Sequence, residues 1–159
     1  MTGPGSHRGG VPVGHITELG PVEAGAVFYL RLWCSGPAAQ DQVRSDFTLA
    51  LGADQGQAAA MTLEQLCDLC TRHGRRPLMR HDISCRCLGA DESCFANFVA
   101  CAADGCREDA LLIATLIVRC DLAPCIAALA EDLGLALKRM ALSGGADALA
   151  PQSPTSRLH

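Results

Sequence analysis

Aromatic side chains are scarce in this chain: one Trp, one Tyr and four Phe among 159 residues. Sheets are built largely from aromatic and β-branched residues. An apolar share dominated by Ala and Leu instead predicts helices packed through small and aliphatic side chains. Lysine is nearly missing, with Lys138 alone against twelve Arg, a usage that hints at a GC-rich bacterial source. No apolar run approaches the length of a bilayer span, and residues 1–30 lack a basic segment leading into an uninterrupted apolar one. A cytoplasmic protein is therefore expected, with no membrane role. An excess of positive charge is also lacking: the net charge of -4 argues against wholesale binding to nucleic acid or anionic lipid, which gains from counterion release. Familiar catalytic signatures are missing as well, among them the G-x-S-x-G elbow, the P-loop, the dinucleotide glycine fingerprint and H-E-x-x-H. These absences leave an enzyme without positive support.

What is present reads as an all-α fold, an irregular bundle of five to six short helices with flexible termini. Residues 1–22 are rich in Gly and Pro without a hydrophobic period and predict a flexible arm, residues 23–143 a helical domain, and residues 144–159 a disordered tail. Glu23 to Cys34 fits a helix, although its alternation also suits a short strand. Ser35 is placed to cap the next helix and Pro37 to occupy its first turn, with Ala39, Val43, Phe47, Ala50 and Leu51 forming one stripe before Gly52. A third helix runs from Asp54 to a stop at Gly74. Two more open on acids that complement the helix dipole, Asp91/Glu92 and Glu108/Asp109; these acid pairs are explained by capping without invoking general acid-base chemistry. The run ALLIATLIV is apolar nearly all round and predicts the central helix of the bundle. A last helix starts near Asp121 and Pro124 and is expected to end at Gly144 and Gly145.

Ten cysteines fall below the density of secreted disulfide scaffolds, so metal, redox chemistry or packing must account for them. Six metal-capable side chains lie close in sequence: Cys67, Cys70 and His73, then His81, Cys85 and Cys87. Thiolate and imidazole ligands of this kind suit zinc or an iron centre. Cys67 and Cys70 share the inward face of Leu63 and Leu66, where Cys serves as a small hydrophobe, and they sit near a helix C-terminus, the wrong end to activate a thiol. His81, Cys85 and Cys87 belong to no apolar period. They are the expected metal ligands, joined by Cys70, or alternatively the expected redox thiols. Cys34, Cys94, Cys101, Cys106, Cys120 and Cys125 are expected to pack, and copper storage is disfavoured by the lack of Cys-x3-Cys pairs.

Residues 75–89 hold a Pro and no sustained period, the longest interior loop, and loops of that length often carry function. Over residues 71–87 five arginines face Asp82 alone. Arg75, Arg76 and Arg80 flank Pro77-Leu78-Met79, an arrangement expected of an exposed apolar tip ringed by guanidinium groups. Arg75, Arg76, Met79 and Arg80 are accordingly the predicted contacts with a protein partner.

The segments RRPLMRH, CRCLGADESCFANFV, REDALLIATLIVR and GLALKRM resemble a family of short alphaproteobacterial proteins of the Rhodobacter type, with the likeness running from Leu30 to Met140. The resemblance implies a bacterial cytoplasmic protein and brings no activity, ligand or site residue with it. The function expected from the residues is a small binding or regulatory module whose loop of residues 71–89 contacts a protein, organised by a bound metal. Metal binding as such and thiol redox sensing or catalysis are the alternatives.

Overall fold

A computed structural model of the chain describes residues 8–149. Six helices dominate it: α1 (Pro21–Trp33), α2 (Pro37–Leu51), α3 (Ala53–His73), α4 (Ala90–Ala103), α5 (Arg107–Ile117) and α6 (Ala123–Leu149). Two short strands, β1 (Pro12–His15) and β2 (Cys87–Gly89), pair antiparallel with Gly14 opposite Leu88 and His15 opposite Cys87. The all-α expectation therefore holds for the body of the molecule, with this ribbon added at one side.

Local chemistry explains most boundaries. Pro21 and Pro37 open α1 and α2, where the missing amide hydrogen costs nothing and the fixed φ suits a first turn. Glu23 to Cys34 is helical, because Val27, Leu30 and Arg31 recur at helical spacing on a buried face. Gly36, and not Ser35, is the N-cap of α2. The Ser35 hydroxyl turns back to donate to the Arg31 carbonyl at 2.6 Å and closes α1 instead.

The core gathers Leu30 of α1, Val43 and Phe47 of α2, Leu63 and Leu66 of α3, Phe95, Phe98 and Val99 of α4, and Ile126 and Leu133 of α6. Helix α4 occupies its centre, packed against α1, α5 and α6. At Gly134 of α6 an added Cβ would lie 2.6 Å from the Ala103 Cβ and 2.8 Å from the Val99 carbonyl, so only glycine permits this approach of α6 to α4. Helix α5, expected at the centre, is peripheral. It turns Ala110, Ala114 and Ile117 inward and leaves Leu112 and Leu116 65% and 69% exposed. Small residues one turn apart let α5 press close to α4 and α6, and that decides its facing over bulk hydrophobicity.

Two boundary expectations are corrected. The segment 8–20, expected in a flexible arm, forms a 3-10 turn at Arg8–Gly10, strand β1 and a second turn at Ile16–Glu18. Its lack of a hydrophobic period is compensated by backbone pairing to β2 and by Gly9, which is buried against Asp91. Residues 1–7 of the predicted arm lie outside the described residues. At the other end α6 continues through Gly144 and Gly145 to Leu149, since glycine weakens a helix without forbidding it. The rest of the predicted tail, 150–159, is again outside the described residues. No described helix is long and apolar enough to cross a membrane.

Candidate functional site

The segment from Gly74 to Gly89 is held by two buried carboxylates at the start of α4. Glu92, fully buried, pairs with the equally buried Arg31: Arg31 Nη2 donates to Glu92 Oε1 at 2.9 Å and Nε to Oε2 at 2.5 Å. The remaining donors of the same guanidinium reach the carbonyls of Asp82 (3.1 Å), Cys85 (2.7 Å) and Cys87 (2.8 Å). Five fixed donors thus bind one carboxylate and three loop carbonyls, a geometry available to Arg and not to Lys. Burial pushes the Glu92 carboxyl up. The Arg31 guanidinium and the amides of Gly89 and His81 outweigh it and hold the group below its ordinary value. Asp91, next along, accepts from both terminal nitrogens of Arg76 and from the Met79 amide at 2.7 Å. Glu92 also caps α4, accepting from the Gly89 amide at 3.0 Å, but the main partners of both acids are distant arginines.

The loop residues singled out by the sequence lie apart in this arrangement. His81, Cys85, Cys87 and Cys70 are not brought together as a ligand set, and among the described residues no three His, Cys, Asp or Glu side chains converge to hold a metal ion. The loop is organised by Arg31, whose place on α1 gave no sign of the contact. His81 lies against Gly89 with Nε2 buried and without a hydrogen-bond partner among the described residues. Cys70 is buried in the core. The apolar tip is likewise absent: Leu78 packs against the core and Met79 against Gly10. Arg76 is engaged by Asp91, and Arg75 is tied to α5, its Nε donating to the Thr115 carbonyl at 2.6 Å.

Arg80 turns elsewhere, and its surroundings are the distinctive chemistry of the molecule. With Cys34, Cys67 and Cys70 it lines a cavity of about 140 Å3 whose other walls include Leu30, Pro77, Leu78 and Phe95. Cys34 closes α1, and Cys67 and Cys70 stand one turn apart on α3, so the helix pairing that forms the core also brings three thiols to one place. Cys34 is half-buried, whereas Cys67 and Cys70 are buried. On its outer side the same Cys34 and Cys67 wall an open groove of about 600 Å3 that carries Trp33, Gln40, Glu64, Gln65, Asp68 and Arg72. The two thiols and Thr71 thus lie between a small, mainly apolar cavity and a wider solvent-facing groove.

The thiols differ in character. Hydrogen bonding from Cys67 lowers the Cys34 thiol to about 7, against the effect of burial, and the Arg80 charge adds to the lowering. Cys67, as the donor of that bond and within the core, is raised well above the ordinary thiol range. Burial pushes Cys70 up to about 12. One thiol accessible from the groove is therefore favoured as thiolate, with a protonated thiol on the same wall, which is the pairing that thiol–disulfide chemistry uses.

Reasoning on sequence had Cys34 as packing and Cys67 and Cys70 as core. The latter pair is indeed core, but it joins Cys34, 33 positions before Cys67, through a tertiary contact that no local spacing encodes. Comparison of the chain with protein-family models, with curated proteins and with solved structures gives no match.

Proposed function

We propose that the protein is a small thiol-based redox module in which Cys34 is the reactive thiol and Cys67 its resolving partner. The observation that carries this reading is the shared wall: Cys34 and Cys67 both line the outer groove and the smaller cavity behind it, and Arg80 lines that cavity with them. In the reaction with a hydroperoxide, the Cys34 thiolate attacks the terminal oxygen, the O–O bond breaks, and the leaving alkoxide or hydroxide takes a proton. Cys34 is then a sulfenic acid. The Cys67 thiol next attacks the Cys34 sulfur, giving a Cys34–Cys67 disulfide and water, so that two thiols and one hydroperoxide yield one disulfide, one alcohol or water, and one water. Arg80 stabilises the thiolate through its charge.

The expected result is that one equivalent of hydrogen peroxide converts the reduced chain to a Cys34–Cys67 disulfide, found by peptide mapping. Alkylation of Cys34 should rise with pH through a midpoint near 7, moving upward in Arg80→Ala. Indiscriminate oxidation of the ten thiols, with no enrichment of this pair, would refute the proposal.

A further inference from the structure

The two openings beside Cys34 differ enough to restrict what it reacts with. The inner cavity of about 140 Å3 is mainly apolar, with Arg80, Thr71 and the thiols its polar groups, and it is too small for a peptide. The outer groove, about 600 Å3, lies within the range of about 300–1,000 Å3 usual for small-molecule sites. Its charged groups are of both signs: Glu64 and Asp68 on α3, then Arg72 one turn further along. Arg72 pairs through its Nε with Asp68 at 3.0 Å, an exposed contact that leaves its terminal nitrogens open to a carboxylate. Exposed Glu64, without an ion pair among the described residues, is available to an ammonium group. Gln65 supplies an amide donor and acceptor for a peptide backbone, and Gln40, whose Nε2 donates to the Trp33 carbonyl at 3.0 Å, adds an amide acceptor. A hydroperoxide needs none of these, so the groove has features that peroxide chemistry leaves unused.

We infer that this groove binds a low-molecular-weight peptide disulfide bearing free ammonium and carboxylate groups, and that Cys34 and Cys67 exchange with it. The inference rests on the thiol pair proposed above and adds its substrate class. In the first step the Cys34 thiolate attacks one sulfur of the bound disulfide. The S–S bond breaks, a Cys34–peptide mixed disulfide forms, and the released peptide thiolate takes a proton from water. In the second step Cys67 gives up its proton and attacks the Cys34 sulfur, expelling the second peptide thiol and leaving the Cys34–Cys67 disulfide. One peptide disulfide and two protein thiols become two peptide thiols and one protein disulfide, and the sequence runs equally in reverse, with no further oxidant or reductant. Trp33, the single Trp of the chain, lines the groove beside Cys34 and reports occupancy by its fluorescence.

Oxidised glutathione is the probe. Added to the reduced full chain, it should change Trp33 emission and produce the Cys34–Cys67 disulfide, and in Cys67→Ser it should stop at a single glutathionyl adduct on Cys34. Reversing the groove charges with Glu64→Lys and Arg72→Glu, both exposed positions, should lower the ratio of the glutathione-disulfide rate to the hydrogen peroxide rate by about threefold to fivefold, the scale of losing two surface ionic contacts. If peroxide forms the Cys34–Cys67 disulfide but glutathione disulfide leaves Cys34 unmodified, or the ratio ignores the groove charges, the inference is overturned and the thiol pair stands. If neither reagent singles out Cys34, both are overturned.

Discussion

Arg31 and Glu92 show how much rests on single side chains inside this molecule. Both are buried, and each uses nearly every donor or acceptor it has. A buried pair of this kind adds little over apolar residues of the same volume, but breaking it strands a charge at a cost of about 3–5 kcal/mol. Arg31→Met is therefore expected to lower unfolding free energy by about that amount in urea titrations, and Glu92→Leu similarly. The double variant should lose clearly less than the sum, because no unpaired charge remains. The loop carbonyls of Asp82, Cys85 and Cys87 would still lose their donor, so full recovery is not expected. An additive double variant would show that the pair is not a unit. Cys34 lies one turn beyond Arg31 on α1, so the thiol and the loop anchor share a helix end.

At the scale of elements, the unexpected part is the N-terminal ribbon. Strand β1 is only four residues long and carries little apolar surface, so pairing and close fit must hold it, and Gly9 is the point of closest fit. A Cβ there would fall on the Asp91 carboxylate and close to the Arg76 terminal nitrogen. Gly9→Ala should consequently cost about 1–3 kcal/mol, the usual penalty of overpacking, unless the ribbon lifts away. Hydrogen exchange at the backbone amides of residues 86–90 distinguishes the outcomes: faster exchange with a preserved helical core is expected, since β2 loses its partner while the bundle does not. Unchanged exchange would place the arm's contribution elsewhere. The position of α5 belongs to this scale too. Sequence pattern rated it by total hydrophobicity, whereas Ala110 and Ala114 determine its contact face through shape.

For the molecule as a whole, acid is the most direct probe of the buried polar framework. The Glu92 carboxyl is held below its ordinary value when folded, so the unfolded chain binds protons first as pH falls. Its contribution is fully present above the unfolded value of about 4.3 and is lost as pH drops through the lower folded value. Stability measured at fixed urea should be flat down to about pH 5 and decline below about pH 4, and the Arg31→Met, Glu92→Leu double variant should decline less steeply there. An identical acid limb in both proteins would remove Glu92 from the account. The same scale sets the thiol site, since Cys34 and Cys67 meet only when α1 and α3 are docked across one core.

The helical class and all six helix starts are legible in the residues to within a few positions, because proline at first turns, glycine stops and 3.6-residue stripes act over short distances. The sequence by itself also identified Cys67 and Cys70 as core, since their spacing matches Leu63 and Leu66 on one face. Tertiary structure alone decided the rest. Arg31 reads as one polar residue on a short helix until the carbonyls it serves, more than fifty positions away, are folded around it. Cys34 reads as packing until α3 presents Cys67 and the loop presents Arg80. Periodicity records which face of a helix turns inward, but it does not record what that face meets, and the chemistry of this site depends on that meeting.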